Sequence, residues 1–163
     1  MEPRREKTKL LARYALLTAL ALVLSWLESL VPLSLAVPGI KLGLPNLVVV
    51  FALYRLGLRD AFVISLVRVL LVSATFGNAY SFAYSLAGAA VSLAVMALLK
   101  RTGKFSLLGV SVAGGVCHNL AQLAVAAAVL GTVRLAWYLP VLLVSGTAAG
   151  ICVGAVSYTH LTL

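Results

Sequence analysis

Acidic residues are nearly absent: Glu2, Glu6, Glu28 and Asp60 are the only four among 163 residues. Carboxylates so few and so scattered cannot build a magnesium site or a paired-carboxylate acid–base site. Cysteine is as sparse. Cys117 and Cys152 both fall in apolar runs, with neither a disulfide framework nor a metal-ligand spacing, and read as small packing residues. No G-x-x-x-x-G-K-[ST] loop occurs; Gly103-Lys104-Phe105 fails the pattern, which excludes ATP hydrolysis by that route. His118 lacks a Ser-His-Asp or Cys-His arrangement, since its neighbour Cys117 points about 100° away round a helix. Aromatic residues do not interleave with basic ones, as they do in single-strand binders, so the net charge of +9 is not a nucleic-acid signature. These absences together imply no metal, no cofactor and no enzyme acting alone.

What the chain has instead is hydrocarbon. It is 63% hydrophobic and 10% charged, against about 25% charged in a soluble domain, with a mean hydropathy of +1.10. That gap decides the class in favour of an integral membrane protein. The length leaves room for five to seven spans of about 20 residues each. The runs are apolar all round, without the alternation of a barrel strand, so they are helices. No cleavable signal peptide is expected, because the first apolar run is long and ends in Glu28 and Pro32 with no A-x-A site.

The pattern predicts an all-α six-transmembrane-helix bundle over residues 10–156, preceded by a basic tail at 1–9. The helices are expected at Leu10–Val31, Leu44–Leu56, Ala61–Phe76, Ser81–Leu99, Leu107–Leu130 and Leu139–Val156. Pro45 suits the start of the second, which is short for a span. Asp60 can cap the third. Pro32–Gly43 is an apolar loop with Lys41 as its one charge, readable as a lid over the bundle or as a loop dipping into the interface. Residues 131–137 form another loop, whose Trp137 and Tyr138 suit interface anchors. Ala15 and Ala19 give the first helix a small-xxx-small face. The stripe Ser81, Ser85, Gly88, Ser92 and the Gly146-Thr-Ala-Ala-Gly150 motif suit close helix packing. The final seven residues, from Ser157 to Leu163, do not match the rest and read as a foreign extension, so His160 carries no weight as a ligand.

Basic residues set the orientation. With the N-terminus inside, Arg4, Arg5, Lys7, Lys9, Arg13, Arg55, Arg59, Lys100, Arg101 and Lys104 all lie on the inner side, against Lys41 and Arg134 outside. Ten against two is a strong positive-inside bias, and it places both termini in the cytoplasm.

Four polar groups stand out within the spans. Arg68 lies near the centre of the third helix, where an arginine costs about 2.5–3.5 kcal/mol on insertion scales. His118 and Gln122 share a face of the fifth helix, with Asn119 beside them and Gly114 and Gly115 one turn earlier. One reading is a polar pocket: Arg68 and Lys41 hold an anionic group, and His118, Asn119 and Gln122 bond its polar atoms. The other is hydrogen-bond glue between helices, with Arg68 paired to Glu28.

The segments Pro38-Gly-Ile-Lys-Leu-Gly-Leu-Pro-Asn46, Ser65-Leu-Val-Arg-Val-Leu-Leu71 and Gly114-Gly-Val-Cys-His-Asn-Leu-Ala-Gln-Leu-Ala-Val-Ala126 carry a resemblance over roughly Leu10 to Val156. The chain resembles the bacterial membrane proteins called heptaprenyl diphosphate synthase component I, or the Gx transporter family. That family is similar in outline to the substrate-binding components of energy-coupling-factor transporters. The resemblance implies a multi-pass protein of the bacterial inner membrane that binds a small solute through Lys41, Asn46, Arg68, His118, Asn119 and Gln122. It implies a transmembrane scaffold and ATPase subunits as partners, docked on the Ala15/Ala19 face, with the Pro32–Gly43 loop as lid. The synthase part of the name implies instead a non-catalytic subunit beside a soluble prenyl synthase, since this chain has one Asp where such synthases need aspartate-rich motifs.

Overall fold

The computed structural model describes residues 2–30, 43–75, 77 and 79–162. Among the described residues six α-helices follow one another: α1 (Glu2–Leu30), α2 (Asn46–Arg55), α3 (Leu58–Thr75), α4 (Ala79–Thr102), α5 (Leu107–Leu130) and α6 (Leu139–Thr162), with a 3₁₀-helix at Val133–Tyr138 between the last two. No strand occurs among the described residues.

Four of these helices are long and apolar enough to cross a membrane: α1, α4, α5, and α6 together with the 3₁₀ turn that leads into it. The other two fall short for different reasons. At ten residues α2 is about 15 Å long, half the hydrocarbon thickness. α3, at 18 residues, has the length of a span but carries Arg59, Asp60 and Arg68.

Helix ends depart from expectation where local chemistry is stronger than hydropathy. α1 takes up the basic tail and begins at Glu2. Glu, Lys and Arg are good helix formers, Pro3 is tolerated in a first turn, and Lys9 pairs with Glu6 at 2.9 Å. Asp60 does not cap α3, which starts earlier, at Leu58, after Gly57 at φ +116°. Its carboxylate instead accepts the Tyr14 hydroxyl of α1. The segment expected as a loop at 131–137 winds into the 3₁₀-helix, held by the Thr132 hydroxyl accepting from the Arg134 N–H at 3.3 Å. α6 continues past Val156 to Thr162, with Ser157 fully buried.

The core is built around α2. Val48, Val49, Val50, Ala52 and Leu53 are all buried, against Ile64 of α3, Leu93 and Met96 of α4, Val110 of α5 and Val153 of α6. α2 packs on α1, α3 and α6, and α5 packs most extensively on α4 and α6. The α5–α6 seam is backbone on backbone. A Cβ on Gly115 would strike the Gly146 carbonyl, and one on Gly150 would strike the Val112 backbone. The glycines of the GxxxG motif thus set the spacing of the two helices. At the basic end, the Lys100 ammonium donates to the Leu53 carbonyl at 2.6 Å and sits 4.7 Å from the Tyr54 ring centroid, closing the last turn of α2.

Candidate functional site: buried polar groups on α3 and α5

Arg68, His118, Asn119 and Gln122 are all buried, between 4% and 8% exposed. The stretches of helix around them are mainly apolar, so each side chain must find its partners inside the protein. Where each one turns decides what the group can do.

Arg68 faces α1. Its Nη1 lies 3.5 Å from Ser25 Oγ, a long contact, while the Ser25 hydroxyl donates to the Ala21 carbonyl at 2.8 Å. Its Nε finds no partner among the described residues. Glu28, one turn beyond Ser25 on α1, acts on the guanidinium electrostatically and also accepts the Gly43 N–H.

Asn119 turns to α6. Its Nδ2 donates to the Leu142 carbonyl at 3.1 Å and to Ser145 Oγ at 3.3 Å, and the Ser145 hydroxyl donates to the same carbonyl at 3.1 Å. This is interhelical glue in geometry, with Ser145 of α6 as its side-chain partner.

His118 and Gln122 turn to α4 and meet at Gly88. A Cβ on Gly88 would come within 2.8 Å of His118 Cε1 and 3.0 Å of Gln122 Cγ. The glycine in the small-residue stripe therefore makes room for this pair. Both amide atoms of Gln122, 5% exposed, lack hydrogen-bond partners among the described residues. Leaving buried donors and acceptors unmade costs about 1–3 kcal/mol per group.

The two polar groups share a level. Ser65 and Val69 of α3 border Leu86, Ala89 and Leu93 of α4, and Gly88 on that same stretch faces His118 and Gln122. Arg68 and the His118–Gln122 pair thus lie at one depth on opposite sides of α4, with the described hydrogen bond of Arg68 leading to α1. Asn46 stands apart, half-buried at the start of α2. It lines a tight crevice of about 10 Å³, room for a single water at most, with Gly43, Met96, Ser111, Gly114 and Gly150. Lys41 and most of the Pro32–Gly43 loop lie outside the described residues. Ala15 and Ala19 are exposed on the outer side of α1. Among the described residues no group of three or more His, Cys, Asp or Glu side chains could hold a metal.

No curated protein and no solved structure matches the chain. A family profile does, over residues 17–160, which takes in Asn46, Arg68, His118, Asn119 and Gln122 and four of the six helices whole, with the second half of α1 and all but the last two residues of α6. The chain therefore belongs to the family described as heptaprenyl diphosphate synthase component I.

Proposed function

We propose that the chain is a non-catalytic, solute-binding component of a membrane transport system, spanning the bacterial inner membrane six times with both termini in the cytoplasm. The solute is small and polar or anionic. The observation that carries this reading is Gln122: an amide 5% exposed, with neither its nitrogen nor its oxygen bonded by the described residues. A polar molecule seated beside it and His118 would supply the missing bonds, while Arg68, at the same depth but across α4, would act on its negative end only at longer range. Asn46 would contribute from α2 and Lys41 from the preceding loop, acting as a lid. Asn119 would hold α5 in register for the site. The exposed Ala15/Ala19 face of α1 would dock on a transmembrane scaffold served by ATPase subunits.

Native mass spectrometry of the detergent-purified protein tests this. A bound small molecule is expected in the wild type and absent in Gln122→Leu, while the variant melts at an equal or higher temperature because an unmet polar group has been removed. Retention of the same molecule by Gln122→Leu would overturn the assignment.

A second reading is favoured by the family's description. The chain would then be the membrane subunit of a heptaprenyl diphosphate synthase, recruiting a soluble catalytic partner. Affinity purification from native membranes separates the two: a soluble synthase on one reading, a scaffold with two ATPases on the other.

A further inference from the structure

At the basic end of the bundle, α1 and α2 diverge and leave an open groove of about 460 Å³, lined by Arg13, Leu16, Leu17, Phe51, Arg55 and Leu56. Its walls are aliphatic and aromatic. Its two charges are guanidinium groups, one from each helix, and both residues are exposed. Neither arginine has an acidic partner among the described residues. The nearest acid in sequence to Arg55, Asp60, is taken up by the Tyr14 hydroxyl.

We infer that this groove is a binding site for an anionic membrane phospholipid. Arginine forks match phosphate oxygens two at a time, and basic pockets between helices at the inner face suit anionic head groups. An acyl chain would run along Leu16, Leu17 and Phe51. A lipid is the occupant that fits because the groove lies between two helices, with Leu16 71% exposed, at the level where the chain turns from apolar to basic. The inference is independent of the solute site, which lies deeper and between other helices.

The test is lipid competition in nanodiscs containing equal phosphatidylglycerol and phosphatidylcholine, read as adducts by native mass spectrometry. Wild type is expected to retain phosphatidylglycerol in preference. Arg13→Gln/Arg55→Gln should lower that preference on the order of tenfold, from the loss of two basic contacts at the surface. Arg59→Gln/Arg101→Gln, which removes the same charge from the same end outside the groove, should leave it intact. Equal loss in both double variants, or no preference in the wild type, would overturn the proposal. If the glutamine pair does not fold, Arg13→Lys/Arg55→Lys decides. A weakened preference supports a site built on arginine forks, and an unchanged one reduces it to diffuse charge and overturns it. Complete displacement of the lipid by farnesyl diphosphate, but not by pyrophosphate, would also overturn it, by making a soluble prenyl diphosphate the occupant.

Discussion

Asn119 shows how the polarity of one residue can be visible in a sequence while its role is not. That it would be buried follows from a run of apolar neighbours, but the direction it faces depends on the rotation of α5, which Gly115, Gly146 and Gly150 set by letting two backbones meet. It donates to Leu142 and Ser145, so Asn119→Ala is expected to destabilise the bundle by about 0.6 kcal/mol and by no more than about 1.7, the range measured for hydrogen bonds between membrane helices. Detergent-to-SDS unfolding measures this. Gly88→Ala acts oppositely, by adding atoms. The new methyl collides with His118 and Gln122, and an overpacked core costs about 1–3 kcal/mol. The variant should lose stability and bound solute together, whereas Asn119→Ala should retain some of both. Arg68 was legible as an expensive residue; that it reaches towards Ser25 was not, because nothing in the spacing of α1 distinguishes that serine from its neighbours.

Helices give a different balance. α5 lies over the range its apolar run predicts, because a serine and a glycine mark its ends. The Ser106 hydroxyl accepts the Gly109 N–H at 3.2 Å, and Gly131 closes the other end in the left-handed conformation at φ +60°. Ser106→Ala should therefore fray the first turn at a cost of about 1 kcal/mol, seen as faster amide exchange at residues 107–110. α1 shows the converse. Six of its first eight residues are charged, the pattern of a tail, yet a hydropathy boundary is not a helix boundary, and ion pairs such as Lys9–Glu6 carry the helix into water. α2 reads from the sequence as short for a span but still as one of six, and not as central: in the structure it is surrounded by other helices. Its final turn depends on Lys100, a residue of α4. Lys100→Met should loosen the Leu53–Arg55 turn while leaving α4 intact, measurable as exchange confined to that turn.

For the molecule as a whole, orientation is the expectation with the largest consequences. Lys104 follows α4 and Arg134 follows α5, at opposite ends of the long spans, and both are exposed. With Cys117 and Cys152 replaced by alanine, a single cysteine at position 104 should react with an impermeant maleimide only after the membrane is opened. One at position 134 should react in intact cells. The reverse pattern would invert the bundle and move the arginine groove to the outer leaflet. The two tryptophans also lie at a single end. Trp26 is in the last turns of α1 and Trp137 in the 3₁₀-helix, 50% and 86% exposed, while the basic end has none. The intrinsic fluorescence of this protein is thus one-sided. Brominated lipids confined to the Trp-bearing leaflet should quench nearly all of it, and the same lipids in the opposite leaflet almost none, so an emission spectrum alone can report which way a reconstituted molecule has inserted.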